Sequence, residues 1–162
     1  MRRARTSDVR GIRDLISPLV DQRILLGKEL VTLFEAVQEF RVAEDDNGHL
    51  IGVGALHVMW EDLGEVRTLA AASEWRGRGV GHAILDRLEA DARDLGLSRL
   101  FCLTFETEFF GRHGFADMGS ETVDPAVFAE LLRSTDDGVA EFLDLARVKQ
   151  NTLGNTRMIK HL

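Results

Sequence analysis

The sequence contains little that would suit it to an oxidising compartment or to a membrane. Its one cysteine, Cys102, cannot form a disulfide within the chain, so we expect a reducing compartment. No run approaches the ~20 apolar residues that a membrane-spanning helix needs. Arginines stand at positions 2, 3 and 5, but no apolar segment follows them, so we expect no secretory signal. These absences predict a cytoplasmic protein.

Tyrosine is missing altogether, and the net charge has the wrong sign for nucleic acid. The formal net charge is −7, whereas a protein that binds phosphate backbones needs a basic face. A small anionic ligand stays compatible with this charge, because such a ligand responds to the local field. The 162 residues are 44% hydrophobic, which is enough for one core, so we predict one domain over 1–162.

Hydrophobic periodicity predicts a single-domain α/β fold with a mixed sheet. Asn47-Gly48 predicts a hairpin turn. The predicted strands are 2–5, 40–42, 50–51, 53–60, 65–71, 99–104 and 155–161. The predicted helices are 6–19, 30–37, 82–95, 107–114 and one that begins at Pro125.

Two of these helices carry apolar stripes that should face the core. In the third helix Glu89 should pair with Arg93, and Gly96 should cap the C-terminus. The stripe of the second helix is Leu30, Leu33, Phe34 and Val37, and that of the third is Ile84, Leu85, Leu88, Ala92 and Leu95.

The segment Arg76-Gly77-Arg78-Gly79-Val80-Gly81 connects a predicted strand to a predicted helix. Its alternating glycines would expose backbone N–H groups at the positive end of a helix, which is a binding site for a pyrophosphate. A dinucleotide fingerprint would need glycine in place of His82, and a P-loop would need a Gly-Lys-Ser/Thr end, so both fit poorly. A glycine-rich turn without a ligand is the alternative.

This segment resembles the Gln/Arg-x-x-Gly-x-Gly/Ala signature of the GNAT acetyltransferases. Phe109 to Phe115, which ends in Gly-Phe, is similar to the helix after the fifth strand in the same superfamily. The resemblance implies a mostly antiparallel central sheet, flanked by helices and splayed between its fourth and fifth strands. It also implies acetyl-CoA as the co-substrate, with its pyrophosphate on residues 76–81. We expect no metal, because the histidines lack metal-ligand spacing with any partner.

A narrower resemblance is to the acetyltransferase domain of N-acetylglutamate synthase, in a short form without the amino-acid-kinase-like domain. It implies acetyl transfer to the α-amino group of L-glutamate, with L-glutamine as a further acceptor, as the first step of arginine biosynthesis. The segments that carry it are Ile24 to Leu30, Gly64 to Ala70, Leu100 to Thr107 and Asn155 to Met158.

The resemblance also implies roles for individual residues. Glu65 would be the general base, although a solvated carboxylate at a strand end is the alternative reading. Glu29 and Glu35 are weaker candidates for the base, because the polar face of the second helix needs such residues in any case. The backbone N–H of Leu69 would stabilise the oxyanion, and the hydroxyl of Thr104 would serve the departing thiolate in place of a tyrosine. Strict alternation puts Glu65 and Thr68 on opposite faces, so a bulge must lie between them if both contact substrate.

Further residues are expected to contact the two substrates. The N-acetylglutamate synthases that carry the amino-acid-kinase-like domain tend to have arginine where Gly154 stands here. The resemblance therefore does not assign which substrate carboxylate Arg157 would meet. The donor-binding residues are Leu69, Ala70, Arg76, Gly77, Arg78, Gly79, Val80, Gly81, Phe109 and Arg112. The acceptor-binding residues are Lys28, Arg67, Thr68, Thr156 and Arg157.

Several other conspicuous residues receive structural interpretations. His57 and His82 lack the spacing of metal ligands, and Cys102 in an apolar strand is typical of a core residue. Trp60 and Trp75 could line the acceptor cleft or pack in the core or at its rim. Two other functions stay open: a GNAT enzyme for another small amine or a protein N-terminus, and a non-catalytic CoA-binding sensor. The class often forms homodimers, and we expect no membrane partner.

Overall fold

The computed structural model describes residues 1–148 and 154–162. Their contacts group them into two compact units, and each is described by itself. The first comprises Met1–His57 and Val66–Leu95, and the second comprises Val58–Glu65 and Gly96–Leu162. The strands are β1 (Arg2–Arg3), β2 (Phe40–Glu44), β3 (Leu50–Val58), β4 (Leu63–Ala71), β5 (Arg99–Thr104), β6 (Ala116–Asp117) and β7 (Thr156–His161). The helices are α1 (Val9–Asp21), α2 (Leu30–Glu35), α3 (Val80–Asp94), α4 (Thr107–Arg112), α5 (Pro125–Leu131) and α6 (Asp137–Phe142).

The first unit carries the strand order β1-β2-β3-β4, where β4 contributes its residues 66–71. β2 is antiparallel to both β1 and β3. The predicted hairpin at Asn47-Gly48 is confirmed: the Asp45 carboxylate accepts the N–H groups of Asn47 and His49, both at 2.9 Å, and Gly48 has φ 83°. Two predicted strands, 50–51 and 53–60, form the single strand β3.

Helix α1 buries one face against this part of the sheet, because its apolar residues recur at helical spacing. Val9, Ile12, Ile16 and Leu19 are buried in one cluster together with Phe40. Pro18 stands inside the helix, near its C-terminus. In the part of the chain that the structure describes, no helix is long and apolar enough to cross a membrane.

Helix α3 lies close against β3, because Gly52 and Gly54 present no side chain to it. A Cβ at Gly54 would lie 2.7 Å from Cγ2 of Ile84 and 3.1 Å from Cδ1 of Leu88. Farther along the helix, the Arg41 guanidinium on β2 donates two hydrogen bonds to Asp91, at 2.5 and 2.7 Å. This bidentate ion pair is largely buried and holds α3 in a fixed position on the strands.

The second unit carries the order β4-β5-β7-β6, where β4 contributes residues 63–65. β4 and β5 are parallel, in register from Leu63↔Arg99 to Glu65↔Phe101. β5 and β7 are antiparallel over all six residues of each strand. A second core cluster includes Phe101 and Phe142, whose rings meet edge to face with centroids 5.4 Å apart. The antiparallel pairs and the parallel β4–β5 pair confirm the predicted fold class.

Some predicted boundaries and faces are wrong. Leu95 is 61% exposed, because α3 ends at Asp94 and Leu95 lies beyond its last turn. Phe34 is 38% exposed, since α2 stops at Glu35 and only Leu33 of the predicted stripe is fully buried. Helix α3 begins at Val80, two residues earlier than predicted, and α4 ends at Arg112. The prediction omitted β6 and α6.

The close approach of α3 to β3 makes a stability prediction. Gly54→Ala should lower the free energy of unfolding by about 1–3 kcal/mol, because the added methyl overpacks the contact with Ile84. Urea unfolding of the wild type and the variant measures this. The matched control is Gly111→Ala, where an added Cβ would meet nothing within 4 Å. Equal stability of Gly54→Ala and Gly111→Ala would contradict the packing account.

Candidate functional site

The glycine segment forms the turn into helix α3. Gly77 and Gly79 have φ of 74° and 84°, in the left-handed region that favours glycine. Gly79 is the N-cap residue of α3, and no side chain caps this end of the helix. The first N–H groups of a helix have no partner within it, and the helix dipole adds partial positive charge there. This turn therefore provides the donors that an anionic group needs.

The backbone of the turn is open to its surroundings at both glycines. A Cβ built at Gly77 or at Gly79 would meet no heavy atom within 4 Å. The glycines at these positions therefore serve the backbone conformation and leave open space beside the backbone. Residues 76–79 are exposed, and the Arg78 guanidinium lies over the Trp75 ring, 5.3 Å from its centroid. Trp75 therefore lies beside this turn, and the Arg78 guanidinium adds positive charge there.

The predicted irregularity in β4 is present at Thr68. This residue has φ 56° inside the strand, a conformation that residues with a Cβ rarely adopt. Strict alternation is interrupted there: Leu63 to Val66 are buried, and the next three residues are half-buried. Leu69 is half-buried and Ala70 is buried. A positive φ between two strand segments is what a bulge produces.

Three predicted acceptor contacts, Lys28, Arg67 and Thr68, belong to the first unit. Lys28 lies in the connection between α1 and α2 and is half-buried. Arg67 lies on β4 and is also half-buried. Thr68 is the residue between Arg67 and Leu69. The geometry leaves the side chains of Lys28 and Arg67 partly accessible, as a ligand contact requires.

Glu65 is the last residue of β4 in the second unit, and the residue is only 7% exposed. It stands in register with Phe101 on β5. A carboxylate so buried differs from the solvated strand-end carboxylate considered as the alternative. Burial, with a further contribution from the Glu65 charge, raises the pKa of the Cys102 thiol well above its usual value. Cys102 is buried, so the structure confirms it as a core residue.

Thr104 and Thr156 face each other across the β5–β7 ladder. The Thr104 hydroxyl oxygen accepts the N–H of Glu106 at 2.8 Å, and the residue is 8% exposed. The hydroxyl uses only a lone pair in this hydrogen bond. Its own proton therefore stays available to another acceptor. Thr104 can therefore act as the hydrogen-bond donor that the sequence predicted.

Arg157 lies next to Thr156 on β7, and α6 contacts its guanidinium. Nη1 donates to the carbonyl oxygen of Phe142 at 3.1 Å, and Nη2 lies 4.0 Å from Oδ2 of Asp144. The side chain is 27% exposed. A guanidinium has five N–H donors, so these contacts orient the side chain and leave further donors for a carboxylate.

Sequence reasoning missed Glu141 on α6, which shares the second unit with Glu65 and Arg157. Only 4% of it is exposed, and its Oε1 is buried with no hydrogen-bond partner among the described residues. Burial, Asp137 and Glu65 raise the pKa of Glu141 to about 7, against an opposing effect of Arg157. The Thr135-Asp136-Asp137 sequence is a helix-start signal that could have revealed α6, since Asp136 caps it through the N–H of Val139 at 3.0 Å.

The remaining predicted donor contacts belong to α4 in the second unit. Phe109 is half-buried, with its ring centroid 5.2 Å from that of Phe110. Arg112 is exposed, and its Nη2 lies 3.4 Å from Oε2 of Glu108. Within residues 1–148 and 154–162 no three His, Cys, Asp or Glu side chains are grouped as a metal site would require. His57 Nδ1 lies 2.7 Å from Oε1 of Glu39, and Trp60 packs against the second core cluster.

Known proteins with similar sequences are acetyltransferases. The acetyltransferase (GNAT) family model matches residues 18–117. An amino-acid acetyltransferase of Mycobacterium tuberculosis is 58% identical over 161 residues, which cover 98% of this chain and 92% of that protein. An amino-acid acetyltransferase of Pseudomonas putida is 39% identical over 133 residues, which cover 81% of this chain and 30% of that protein.

Solved structures agree with this similarity. A Mycobacterium tuberculosis protein in complex with CoA and NLQ superposes with a TM-score of 0.92 at 58% identity, covering 99% of this chain and 98% of that one. N-acetylglutamate synthase from Neisseria gonorrhoeae, complexed with coenzyme A and N-acetyl-glutamate, gives a TM-score of 0.77 at 28% identity, covering 99% of this chain and 34% of that one.

The chain thus spans nearly all of the mycobacterial proteins and about a third of the Pseudomonas and Neisseria ones. The family model covers more than half of the chain, and the mycobacterial relative aligns with almost all of it. The chain therefore belongs to the GNAT family of acetyltransferases.

Proposed function

We propose that this protein transfers the acetyl group of acetyl-CoA to the α-amino group of L-glutamate, with L-glutamine as a further acceptor. The observation that carries the proposal is the buried Glu65 carboxylate, which shares the second unit with the Thr104 hydroxyl and the Arg157 guanidinium. A base, a donor and a carboxylate-binding cation are the groups that acylation of an amino acid requires. The reaction would be the first step of arginine biosynthesis, in the cytoplasm.

The glycine turn is the proposed binding site of the donor. Residues 76–81 would hold the pyrophosphate with the N–H groups at the start of α3, and Arg76 and Arg78 would add positive charge. Ala70, Phe109 and Arg112 would make further contacts. When bound, acetyl-CoA supplies an activated thioester. The N–H of Leu69 would donate to the carbonyl oxygen as negative charge develops there, a contact whose loss typically costs ~2.7–4 kcal/mol of barrier.

Glu65 is proposed as the general base. An α-amino group is largely protonated near neutral pH and must lose a proton before its nitrogen can attack a carbonyl. The carboxylate of Glu65 would take that proton, directly or through a water molecule. As the C–S bond breaks, the thiolate would receive the hydrogen bond of the Thr104 hydroxyl. A thiol has a reference pKa near ~8.5, so departure as thiolate requires no stronger acid.

Glutamate as the acceptor has support from chemistry and from the relatives. The Neisseria structure holds N-acetyl-glutamate, and the Mycobacterium and Pseudomonas relatives are amino-acid acetyltransferases. Glutamate has two carboxylates, and desolvating either without a partner is costly. Arg157 suits a carboxylate bidentately, and Lys28 offers a movable point charge. Arg67, Thr68 and Thr156 would add polar contacts.

A valine in the glycine turn should abolish acetyl-CoA binding. In Gly79→Val the branched side chain would fill the open space beside the N–H groups of α3. Isothermal titration calorimetry with acetyl-CoA measures the loss. The matched control is Gly48→Val: Gly48 has φ 83°, close to the 84° of Gly79, and open space around it. Both variants therefore carry similar backbone strain, and unchanged affinity in a folded Gly79→Val would refute this donor site.

Removing the base should slow turnover more than binding. Glu65→Gln is expected to lower kcat by ~10²–10⁴, the usual contribution of a general base, with a smaller effect on acetyl-CoA affinity. The deficit should shrink as pH rises, because more of the acceptor amine is then already deprotonated. Release of free CoA, followed with a thiol reagent, gives the rate. A near-native kcat at neutral pH would assign the proton to another group.

An acceptor screen tests the proposed substrate. Among the twenty amino acids, L-glutamate should give the highest kcat/KM for CoA release. Arg157→Ala should raise KM for glutamate at least ~10-fold, since a hydrogen bond to a charged group contributes roughly 1.5–3 kcal/mol. Lys28→Ala should raise KM for glutamate less than Arg157→Ala does. If Lys28 meets the side-chain carboxylate, Lys28→Ala should raise KM for glutamate more than KM for glutamine.

The control for lost positive charge is Arg133→Ala, whose guanidinium is exposed and paired with Glu130. It should leave KM unchanged. A wild type that prefers a cationic amine such as lysine would instead indicate a GNAT enzyme with another acceptor. A chain that binds acetyl-CoA but acetylates no amine would indicate a CoA-binding sensor.

A further inference from the structure

Glu141 is a buried carboxyl group for which the proposed reaction has no role so far. It lies on α6, with 4% of the residue exposed. Its Oε1 is buried and has no hydrogen-bond partner among residues 1–148 and 154–162. Burying a polar oxygen without a partner is costly. A core position of this kind would be filled more favourably by an apolar side chain, so packing does not account for the carboxyl.

The geometry of the second unit connects Glu141 to the proposed base. Glu65 stands in register with Phe101 on the neighbouring parallel strand, and the Phe101 ring meets the ring of Phe142, the residue that follows Glu141, with centroids 5.4 Å apart. Four charged groups act on its carboxyl: Asp137 on the same helix, Asp144 just after it, Glu65 on β4 and Arg157 on β7. Burial has the largest effect on the pKa of this carboxyl, the three acidic groups raise the pKa further, and Arg157 opposes them. Together they raise the pKa of Glu141 to about 7. Glu141 therefore changes its charge within the pH range in which an amine acceptor would be acetylated.

We propose that Glu141 is a positioning residue that sets the proton affinity of Glu65 during acetyl transfer. The interaction between two carboxyl groups is reciprocal, because a charge on either disfavours a charge on the other. When Glu141 is protonated, Glu65 has no added carboxylate charge from α6 beside it. When Glu141 loses its proton to solvent, the new charge increases the tendency of Glu65 to take a proton from the acceptor ammonium. This inference rests on the proposed role of Glu65 as the base.

The proton balance of the reaction is unchanged by this role. The acceptor ammonium gives one proton to Glu65, a C–N bond forms at the acetyl carbon, the C–S bond breaks, and the new amide nitrogen gives its second proton to solvent. The electron pair of that bond leaves with the CoA sulfur, and Glu65 later releases its proton to solvent. Glu141 changes only how strongly Glu65 attracts the proton, and a stronger base accelerates a general-base step.

The ratio of wild-type to variant rate, measured against pH, tests this proposal. Glu141→Gln mimics the protonated carboxyl, so kcat/KM should match the wild type near pH 5.5, where Glu141 carries its proton. Above pH 8 the wild type should be faster by roughly two- to fivefold, because the gain in rate from a stronger general base is only a fraction of the gain in its proton affinity. The ionisation of the acceptor amine affects both proteins equally and cancels from the ratio. Glu141→Asp, which keeps an ionisable group, should restore part of the rise.

A control and a second measurement separate this role from a structural one. Glu130→Gln on the exposed face of α5 should leave the ratio at one across the pH range. Infrared titration should show a protonated carboxyl that ionises near pH 7 in the wild type and is absent from Glu141→Gln. In thermal unfolding, the stability of Glu141→Gln relative to the wild type should increase as pH rises from about 4.5 through about 7. The reason is that ionisation of the buried carboxyl destabilises the folded wild type.

The rate ratio, unlike stability, decides the mechanism. Suppose that the wild type turns over an acceptor, but the ratio of its rate to that of Glu141→Gln stays constant from pH 5.5 to 8.5. This result would overturn the role of Glu141 and leave the proposed function intact. If glutamate is not acetylated but another amine is, the proposed function fails, and the same ratio measured with that amine still tests Glu141. Loss of the infrared signal without any change in the ratio would also count against the proposal.

Discussion

The close contact between α3 and β3 is the constraint on which the geometry of the glycine turn depends. The missing side chains of Gly52 and Gly54 let Ile84 lie against the strand, and the buried Arg41–Asp91 ion pair fixes the helix farther along. With the helix axis fixed, the position of its N-terminus is fixed too. The left-handed backbone of Gly77 and Gly79 then exposes the first N–H groups of α3.

The second unit solves a different problem, which is how to keep charged groups inside a small core. Glu65 and Glu141 are both more than nine-tenths buried, although carboxylates are rarely placed there unless paired. Arg157 provides a nearby positive charge, and a carbonyl oxygen of α6 orients it. Helix α6 therefore does more than cover the sheet: it supplies the carboxyl at 141 and fixes the cation at 157.

Much of this arrangement could be predicted from the sequence, and the exceptions have physical reasons. β5 was predicted with its correct bounds, because a continuous apolar run is typical of a buried strand. The irregularity at Thr68 followed from requiring two residues of one strand to serve one reaction. Helix α6 has only six residues, too few for a clear helical period. The burial of Glu141 depends on tertiary packing, whereas its residue type alone predicts exposure.

In the proposed reaction, the absence of tyrosine leaves the hydroxyl of Thr104 to serve the departing thiolate. A phenol could donate a proton outright, whereas an aliphatic hydroxyl can only donate a hydrogen bond. That bond is useful if the hydroxyl proton points towards the sulfur, and a freely rotating hydroxyl gives no such orientation. The N–H of Glu106 restricts the rotation, because it occupies a lone pair of the Thr104 oxygen at 2.8 Å. With a leaving group that is already stable as an anion near its reference pKa of ~8.5, an oriented hydrogen bond is sufficient.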